Sequence, residues 1–160
     1  MAFRVGFGYD VHSLAEGESL WLGGILVPHT KGTVAHSDGD VLIHAICDAL
    51  LGAVKMRDIG FHFPDTSSDF KNVDSKILLA KVYDLIRGKG YSVGNIDATI
   101  AAQKPKLKDF IPLMEETLAE VLGVDAEAVS VKATTTERLG FEGREEGISA
   151  YAVVLIQKES

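Results

Sequence analysis

The residues of this chain best suited to chemistry are Asp10, His12 and His44. Asp10 and His12 belong to Phe3 to Leu14, where Val5, Phe7, Tyr9 and Val11 alternate with Gly6, Gly8, Asp10 and His12. A period of two predicts a strand and puts the carboxylate and the imidazole on one face of it. An oxygen and a nitrogen donor two residues apart on a rigid strand make half of a metal site, and His44 can supply a third ligand. Zinc held by three protein ligands keeps a fourth position for a substrate oxygen, which a catalytic site requires. Thr134, Thr135, Thr136 and Glu137 gather hydroxyls and one carboxylate at the end of a second expected strand, where phosphate oxygens and a hard cation could both be held. A threonine-rich turn capping the next segment would look the same. Lys104, Lys106 and Lys108 surround Pro105; they read as a solvated turn unless a phosphate lies near, when they become anion contacts.

His44 must be positioned by Ala35 to Val54, the stretch around which the chain is organised. Ser37 or Asp38 is expected to cap a helix there, because a Ser or Asp oxygen can accept a free N–H and the apolar run begins just after. From Val41 to Val54 nearly every residue is apolar, the pattern of a helix surrounded by protein. Asp40, His44 and Asp48 break the run at four-residue spacing and form a polar stripe along it. Buried ionisable groups are costly unless compensated, so the stripe is either a metal-facing edge or a core histidine flanked by exposed carboxylates.

The remaining pattern supplies the scaffold. Leu20 to Val27 reads as a hairpin around Gly23 and Gly24, and Pro28 to Thr33 as a loop. Arg57 to Ser75 is too polar and broken for a regular element, and is either a lid or an inert connection. Asp74 or Ser75 caps a helix carrying Ile77, Leu78, Val82, Leu85 and Ile86. Val93 to Ala102, Val129 to Ala133 and Ile148 to Gln157 read as strands, Asp109 to Leu122 as a helix stopped by Gly123, and Leu139 to Gly147 as a turn. Strands mixed with three long helices predict an α+β fold, a mixed β-sheet with helices packed on one face, in a single domain over 1–160.

Composition narrows the function. A chain of 160 residues, 46% hydrophobic and 24% charged, is sized for one core. Its net charge of -7 argues against a nucleic-acid partner while permitting a local basic pocket. The single cysteine, Cys47, offers no disulfide framework; it suggests a packing role and a reducing compartment. No segment has the length of apolar sequence needed to span a bilayer. The expectation is a cytoplasmic protein without a membrane partner.

These signals form one pattern: GYDVH at 8–12, GG at 23–24, AHSDGDVLIHAICDALLGA at 35–53, DIGFHFPDT at 58–66, NIDATI at 95–100, PK at 105–106 and VKATTTERLGFEGREEGI at 131–148. The chain resembles the 2-C-methyl-D-erythritol 2,4-cyclodiphosphate synthases of the non-mevalonate isoprenoid pathway, with the motifs in order from end to end. The resemblance implies a metal-dependent phosphorus–oxygen lyase. In such an enzyme the 2-phosphate of 4-diphosphocytidyl-2-C-methyl-D-erythritol 2-phosphate attacks the β-phosphorus, releasing CMP and a cyclic diphosphate. It implies zinc on Asp10, His12 and His44, and Mg²⁺ or Mn²⁺ on Glu137. His36, beside Ser37, and Thr135 would stabilise charge at the reacting phosphates from opposite sides. Asp58, Ile59 and Gly60, with the loop of Phe63, Pro64, Asp65, Thr66 and Ser67, would surround the methylerythritol. Ala102, Gln103, Lys104, Pro105, Lys106, Leu107 and Lys108 would form the cytidine pocket with Ala133, Thr134 and Thr135, and Thr136 of the same motif would also bind substrate. Asp48 is expected to orient a metal-bound imidazole through its other ring nitrogen.

The resemblance also implies a homotrimer, with each active site shared between subunits. In several family members the Arg of the GF-x-G-R turn, here Arg144, binds an isoprenoid-like diphosphate in a cavity on the three-fold axis, with Phe141 in its wall. This chain departs from that pattern with Glu142, Glu145 and Glu146, and Tyr151 narrows the same space. Weak prenyl diphosphate binding is therefore expected. Two rival readings are a zinc-dependent phosphohydrolase, which would release inorganic phosphate, and a non-catalytic nucleotide-binding module, which would not need the Asp10, His12 and His44 set.

Overall fold

A strand whose alternate residues are glycine can be buried only if another backbone comes very close to it. In the computed structural model, which describes residues 1–160, β1 (Phe3–Glu16) turns Gly6 and Gly8 inward and leaves Val5, Phe7, Tyr9 and Val11 exposed. A Cβ added at Gly8 would lie 1.8 Å from the Ala45 carbonyl oxygen, and one at Gly6 1.8 Å from that of Ala49. The helix α1 (Val41–Ala53) therefore lies directly on β1. Gly8→Ala is expected to lower stability by about 3 kcal/mol, the upper range for overpacking, because the obstacle is backbone rather than a side chain that can rotate away. Urea unfolding checks this, and a loss under 1 kcal/mol would mean that the two backbones separate easily.

The strands β2 (Leu20–Leu22) and β3 (Ile25–Val27) form a separate hairpin, turned at Gly23 and Gly24 with φ of 61° and 80°. The main sheet has β4 (Lys31–Thr33) at one edge, followed in space by β1, β7 (Gly147–Lys158), β5 (Tyr91–Ala101) and β6 (Val129–Thr134). Only the β5–β6 pair is parallel, so the sheet is mixed. The helices α1, α3 (Ser75–Gly88) and α4 (Ile111–Leu122) cover one face, burying Ile148, Ala150 and Val154 of β7 and Ile96, Ala98 and Ile100 of β5. The other face is bare and apolar across β1 and β7. Val5 is 66% exposed, Phe7 62% and Val153 45%, and Tyr9 meets Tyr151 across the strands with ring centroids 5.1 Å apart.

Several expected boundaries are corrected. The cap of α1 is Asp40, whose Oδ1 accepts the Ile43 N–H, and neither Ser37 nor Asp38. Pro28 to Thr33 ends in β4, because Thr33 pairs with Leu14 of β1. The segment 57–75 contains one helical turn, α2 (Ile59–His62), and a 3₁₀ turn at Ser68–Phe70. Ile77 is 50% exposed, and Leu79 and Tyr83 take buried places on α3 instead. The helix after the lysines begins at Ile111 rather than Asp109, and the turn before β7 holds α5 (Gly140–Gly143).

Candidate active site

Beyond Gly8, the inward face of β1 presents Asp10 and His12 to the first turns of α1, which present His44. Asp10 Oδ2 lies 3.0 Å from His12 Nδ1 and 3.1 Å from His44 Nδ1. Ligand atoms of a tetrahedral zinc site, with bonds of roughly 2.0–2.2 Å, lie on the order of 3.3 Å apart; the two distances from Asp10 match that spacing, and all three ligand atoms lie within 4.8 Å of one another. His12 Nδ1 is buried and has no hydrogen bond. Its 3.0 Å approach to Asp10 is a contact with the wrong angle to be one, which leaves a polar atom aimed at the point where the three groups converge. A divalent metal there would complete all three. Without it, burial works against the charge on Asp10, but the two imidazoles outweigh burial and hold its carboxyl below the usual range. Burial likewise opposes a charged His44, yet Asp10 outweighs it and raises the ring's pKa.

The polar stripe on α1 divides into three different tasks. Asp40 is wholly buried, which pushes its carboxyl above the usual range, with the Ile43 and Gly24 N–H groups working against that rise. Its oxygens accept from Gly23 at 3.0 Å, Gly24 at 2.7 Å and Ile43 at 3.0 Å, so one residue caps α1 and ties the hairpin to it. The flanking carboxylates of the stripe are therefore not simply exposed. Asp48 corrects a further expectation, since it bonds no imidazole. Four residues advance a helix by about 400°, so Asp48 has drifted roughly 40° from His44; it instead accepts the Ile59 N–H at 2.9 Å. His44 Nε2 meets Ser75 Oγ at 2.9 Å and Ser37 Oγ at 3.3 Å. Asp48→Ala is accordingly expected to leave zinc affinity unchanged. It should cost about 1.5–3 kcal/mol of stability, the usual worth of a hydrogen bond to a charged group, and raise KM through the loosened 58–60 segment. Chelator competition and steady-state kinetics check this; a tenfold loss of zinc affinity would restore the metal-orienting role.

Asp58 caps α2 by accepting the Phe61 N–H, and Ile59, Gly60, Phe63 and Asp65 close over His36, Ser37 and His44 around a cavity of about 60 Å³. Ser67 does not line it but touches one of its walls, its carbonyl accepting from His36 Nε2 at 3.1 Å. Pro64 and Thr66 are exposed and do not line the cavity.

A second cavity, of about 460 Å³, opens beyond the ends of β5 and β6. Ala102, Gln103, Pro105, Lys106, Leu107 and Lys108 line it with Ala133, Thr134 and Thr135, as the sequence leads one to expect. Lys104 does not, whereas Ile111, Val131 and Lys132 do, and nothing in their own types marked them. Gln103 Oε1 accepts the Arg138 N–H at 3.1 Å, and Thr135 Oγ1 accepts the Glu137 N–H at 3.3 Å. Both Glu137 and Arg138 are left-handed, with φ of 55° and 63°, the kind of backbone strain that functional turns carry. Thr136 serves its own turn, donating to the Leu139 carbonyl at 2.6 Å.

No residue lines both cavities. Asp10 pairs with Ala150, Ala150 with Ile100, and Ile100 with Ala133, so three interstrand steps separate β1 from β6. At about 4.8 Å per step, that is roughly 14 Å. Glu137 does not join the Asp10, His12 and His44 group. In the turn before β7, Arg144 makes a two-pronged pair with Glu146, Nε at 3.1 Å from Oε1 and a terminal nitrogen at 3.2 Å from Oε2. Glu142 accepts from the buried Ser149 hydroxyl at 2.8 Å.

Residues 3–157 match the model of the YgbB family. A 2-C-methyl-D-erythritol 2,4-cyclodiphosphate synthase of Bacteroides thetaiotaomicron is 68% identical over 159 residues, covering 99% of this chain and 100% of its own. A synthase of the same name from Ectopseudomonas mendocina is 61% identical over 155 residues, with 97% and 99% covered. Among solved structures, a CDP-bound 2C-methyl-D-erythritol-2,4-cyclodiphosphate synthase superposes with a TM-score of 0.89 at 32% identity, over 96% of this chain and 100% of that one. The bifunctional IspDF of Campylobacter jejuni gives a TM-score of 0.94 at 46% identity, over 98% of this chain and 42% of that longer one.

Proposed function

The chain belongs to the YgbB family, and on that premise we propose how it converts 4-diphosphocytidyl-2-C-methyl-D-erythritol 2-phosphate into 2-C-methyl-D-erythritol 2,4-cyclodiphosphate and CMP. An oxygen of the 2-phosphate forms a bond to the β-phosphorus as the bond from that phosphorus to the CMP oxygen breaks. No water and no protein nucleophile take part, so catalysis rests on bringing two anions together and neutralising their charge. Asp10, His12 and His44 are the residues that would hold zinc, and Glu137 the one that would hold Mg²⁺ or Mn²⁺. Bound cations of this kind polarise phosphoryl oxygens and offset their charge. His36 and Thr135 stabilise charge at the reacting phosphates from opposite sides. Asp65 holds the methylerythritol hydroxyls within the loop of Phe63 to Ser67. The cavity at 102–108 takes the cytidine, with Lys106 and Lys108 beside its phosphates.

The observation that carries this reading is the convergence of Asp10, His12 and His44 around the unpartnered His12 Nδ1. Purified protein supplied with Zn²⁺, Mg²⁺ and the diphosphocytidyl substrate should release CMP and the cyclic diphosphate in equal amounts. Inorganic phosphate as the product would instead identify a hydrolase, a reading that the names of the relatives do not support.

The reading includes a homotrimer in which the metal and sugar half of one subunit meets the cytidine half of the next. The bare apolar face of β1 and β7 supports it, since a patch of that kind on a soluble protein calls for cover. It also includes weak binding of prenyl diphosphates at the three-fold axis, because the Arg144 guanidinium is already engaged by Glu146. Calorimetric titration with farnesyl diphosphate should give little heat, and Arg144→Ala should change it little. Tight binding that vanishes in Arg144→Ala would mean that the pair opens to admit the ligand.

A further inference from the structure

Ser75 is the first residue of α3 and is completely buried. Its hydroxyl has one proton to give and two lone pairs with which to accept. Asp38 Oδ1 lies 2.5 Å from that hydroxyl, and Asp38 Oδ2 accepts the Ser75 backbone N–H at 2.8 Å. An ionised carboxylate only accepts, so the hydroxyl proton goes to Asp38. The Ser75 oxygen therefore faces His44 Nε2, 2.9 Å away, as an acceptor, and Nε2 must carry a hydrogen. With Nε2 keeping its hydrogen for Ser75, Nδ1, 3.1 Å from Asp10 Oδ2, is the nitrogen left to give up its hydrogen and take a metal beside Asp10 and His12. Ser37 Oγ, at 3.3 Å from the same Nε2, is the more distant neighbour and already accepts the Gly39 N–H at 3.2 Å.

We propose that Ser75, locked by Asp38, is the positioning residue that fixes the tautomer and rotation of His44 so that its Nδ1 binds the metal. This rests on the reading of Asp10, His12 and His44 as zinc ligands. Asp38 is suited to the task because it is itself immobilised. It accepts the Asp40 N–H at 3.1 Å and donates its own N–H to the Val73 carbonyl at 3.2 Å. The turn before α1 and the loop before α3 are thereby stapled together, and His44 is gripped from the second helix as well as carried by the first. An imidazole ligand whose other nitrogen is held in this way is a better and more directional metal donor.

The test uses isotope-labelled, zinc-loaded protein. A long-range proton–nitrogen spectrum of the imidazole rings should show His44 protonated at Nε2; protonation at Nδ1 would overturn the proposal without any variant. Zinc affinity, measured by competition with a chromophoric chelator, should fall about 10- to 100-fold in Ser75→Ala. Thermal unfolding of the zinc-free variant verifies that it is folded. A folded Ser75→Ala with wild-type zinc affinity would refute the positioning role while leaving the metal site intact. Should Ser75→Ala not fold, Asp38→Asn decides, since its NH₂ replaces one of the two oxygens that accept from the Ser75 hydroxyl and N–H; unchanged zinc affinity there refutes the role equally. Zinc binding to the wild type that survives His12→Ala would overturn the metal reading, and this inference with it.

Discussion

His12→Ala and His44→Ala are each expected to lose bound zinc and to slow CMP release by about three orders of magnitude. Polarisation by a metal contributes several kcal/mol to a phosphoryl transfer, and each 1.4 kcal/mol is a factor of about ten in rate. Two ligands remain in either variant, and two are too few to keep the ion against dilution. The protein should nevertheless stay folded. His12 lies at the edge of the site, partly exposed, and removing its ring frees Asp10 to face water. His44 is 5% exposed, so its loss leaves the Ser75 hydroxyl with one partner fewer, a cost on the order of 1–3 kcal/mol. Metal analysis, CMP release and circular dichroism on the same preparations separate these effects. Full zinc occupancy in both variants would show that the ligand assignment is mistaken.

The sequence makes the ligand trio legible because each of its members follows from a periodicity. Alternation puts Asp10 and His12 on one side of a strand, and an apolar helix makes a lone histidine conspicuous. Alternation does not say which side of the strand is inside. On β1 the ordinary rule reverses, with glycines, Asp10 and His12 facing the helix and Val5 and Phe7 facing out. Only the backbone contact between Gly8 and Ala45 determines that, and it is a property of packing rather than of pattern. The cap of α1 was hidden for a similar reason. Ser37, Asp38 and Asp40 can all cap, and the choice falls to Asp40 because the Gly23 and Gly24 amides also need an acceptor there. Asp38 is then free for Ser75, a serine that in sequence merely opens a helix. Asp48, by contrast, had the right spacing from His44 for a supporting role, but helical drift turns it toward Ile59.

Mixing two inactive variants, His44→Ala and Thr135→Ala, is expected to restore CMP release once the subunits have been dissociated and reassembled together. Within one chain the two halves of the site are distinct, because the cavity of His36, His44 and Asp65 shares no residue with the cavity of Thr135 and Lys106. In the proposed cyclic trimer each site joins one half from each of two neighbours. A site is intact only where the metal half comes from Thr135→Ala and the cytidine half from His44→Ala. Random reassembly of equal amounts makes that pairing in roughly a quarter of the sites, so activity should return to roughly a quarter of the wild-type value from two preparations that have almost none. On the trimer reading, the exposed apolar face of β1 and β7 is the contact to be rebuilt, and Phe7→Asp in both variants should prevent the recovery by placing a charge in it. Mixed trimers verified by mass spectrometry that remain inactive would show that each site is completed within a single chain.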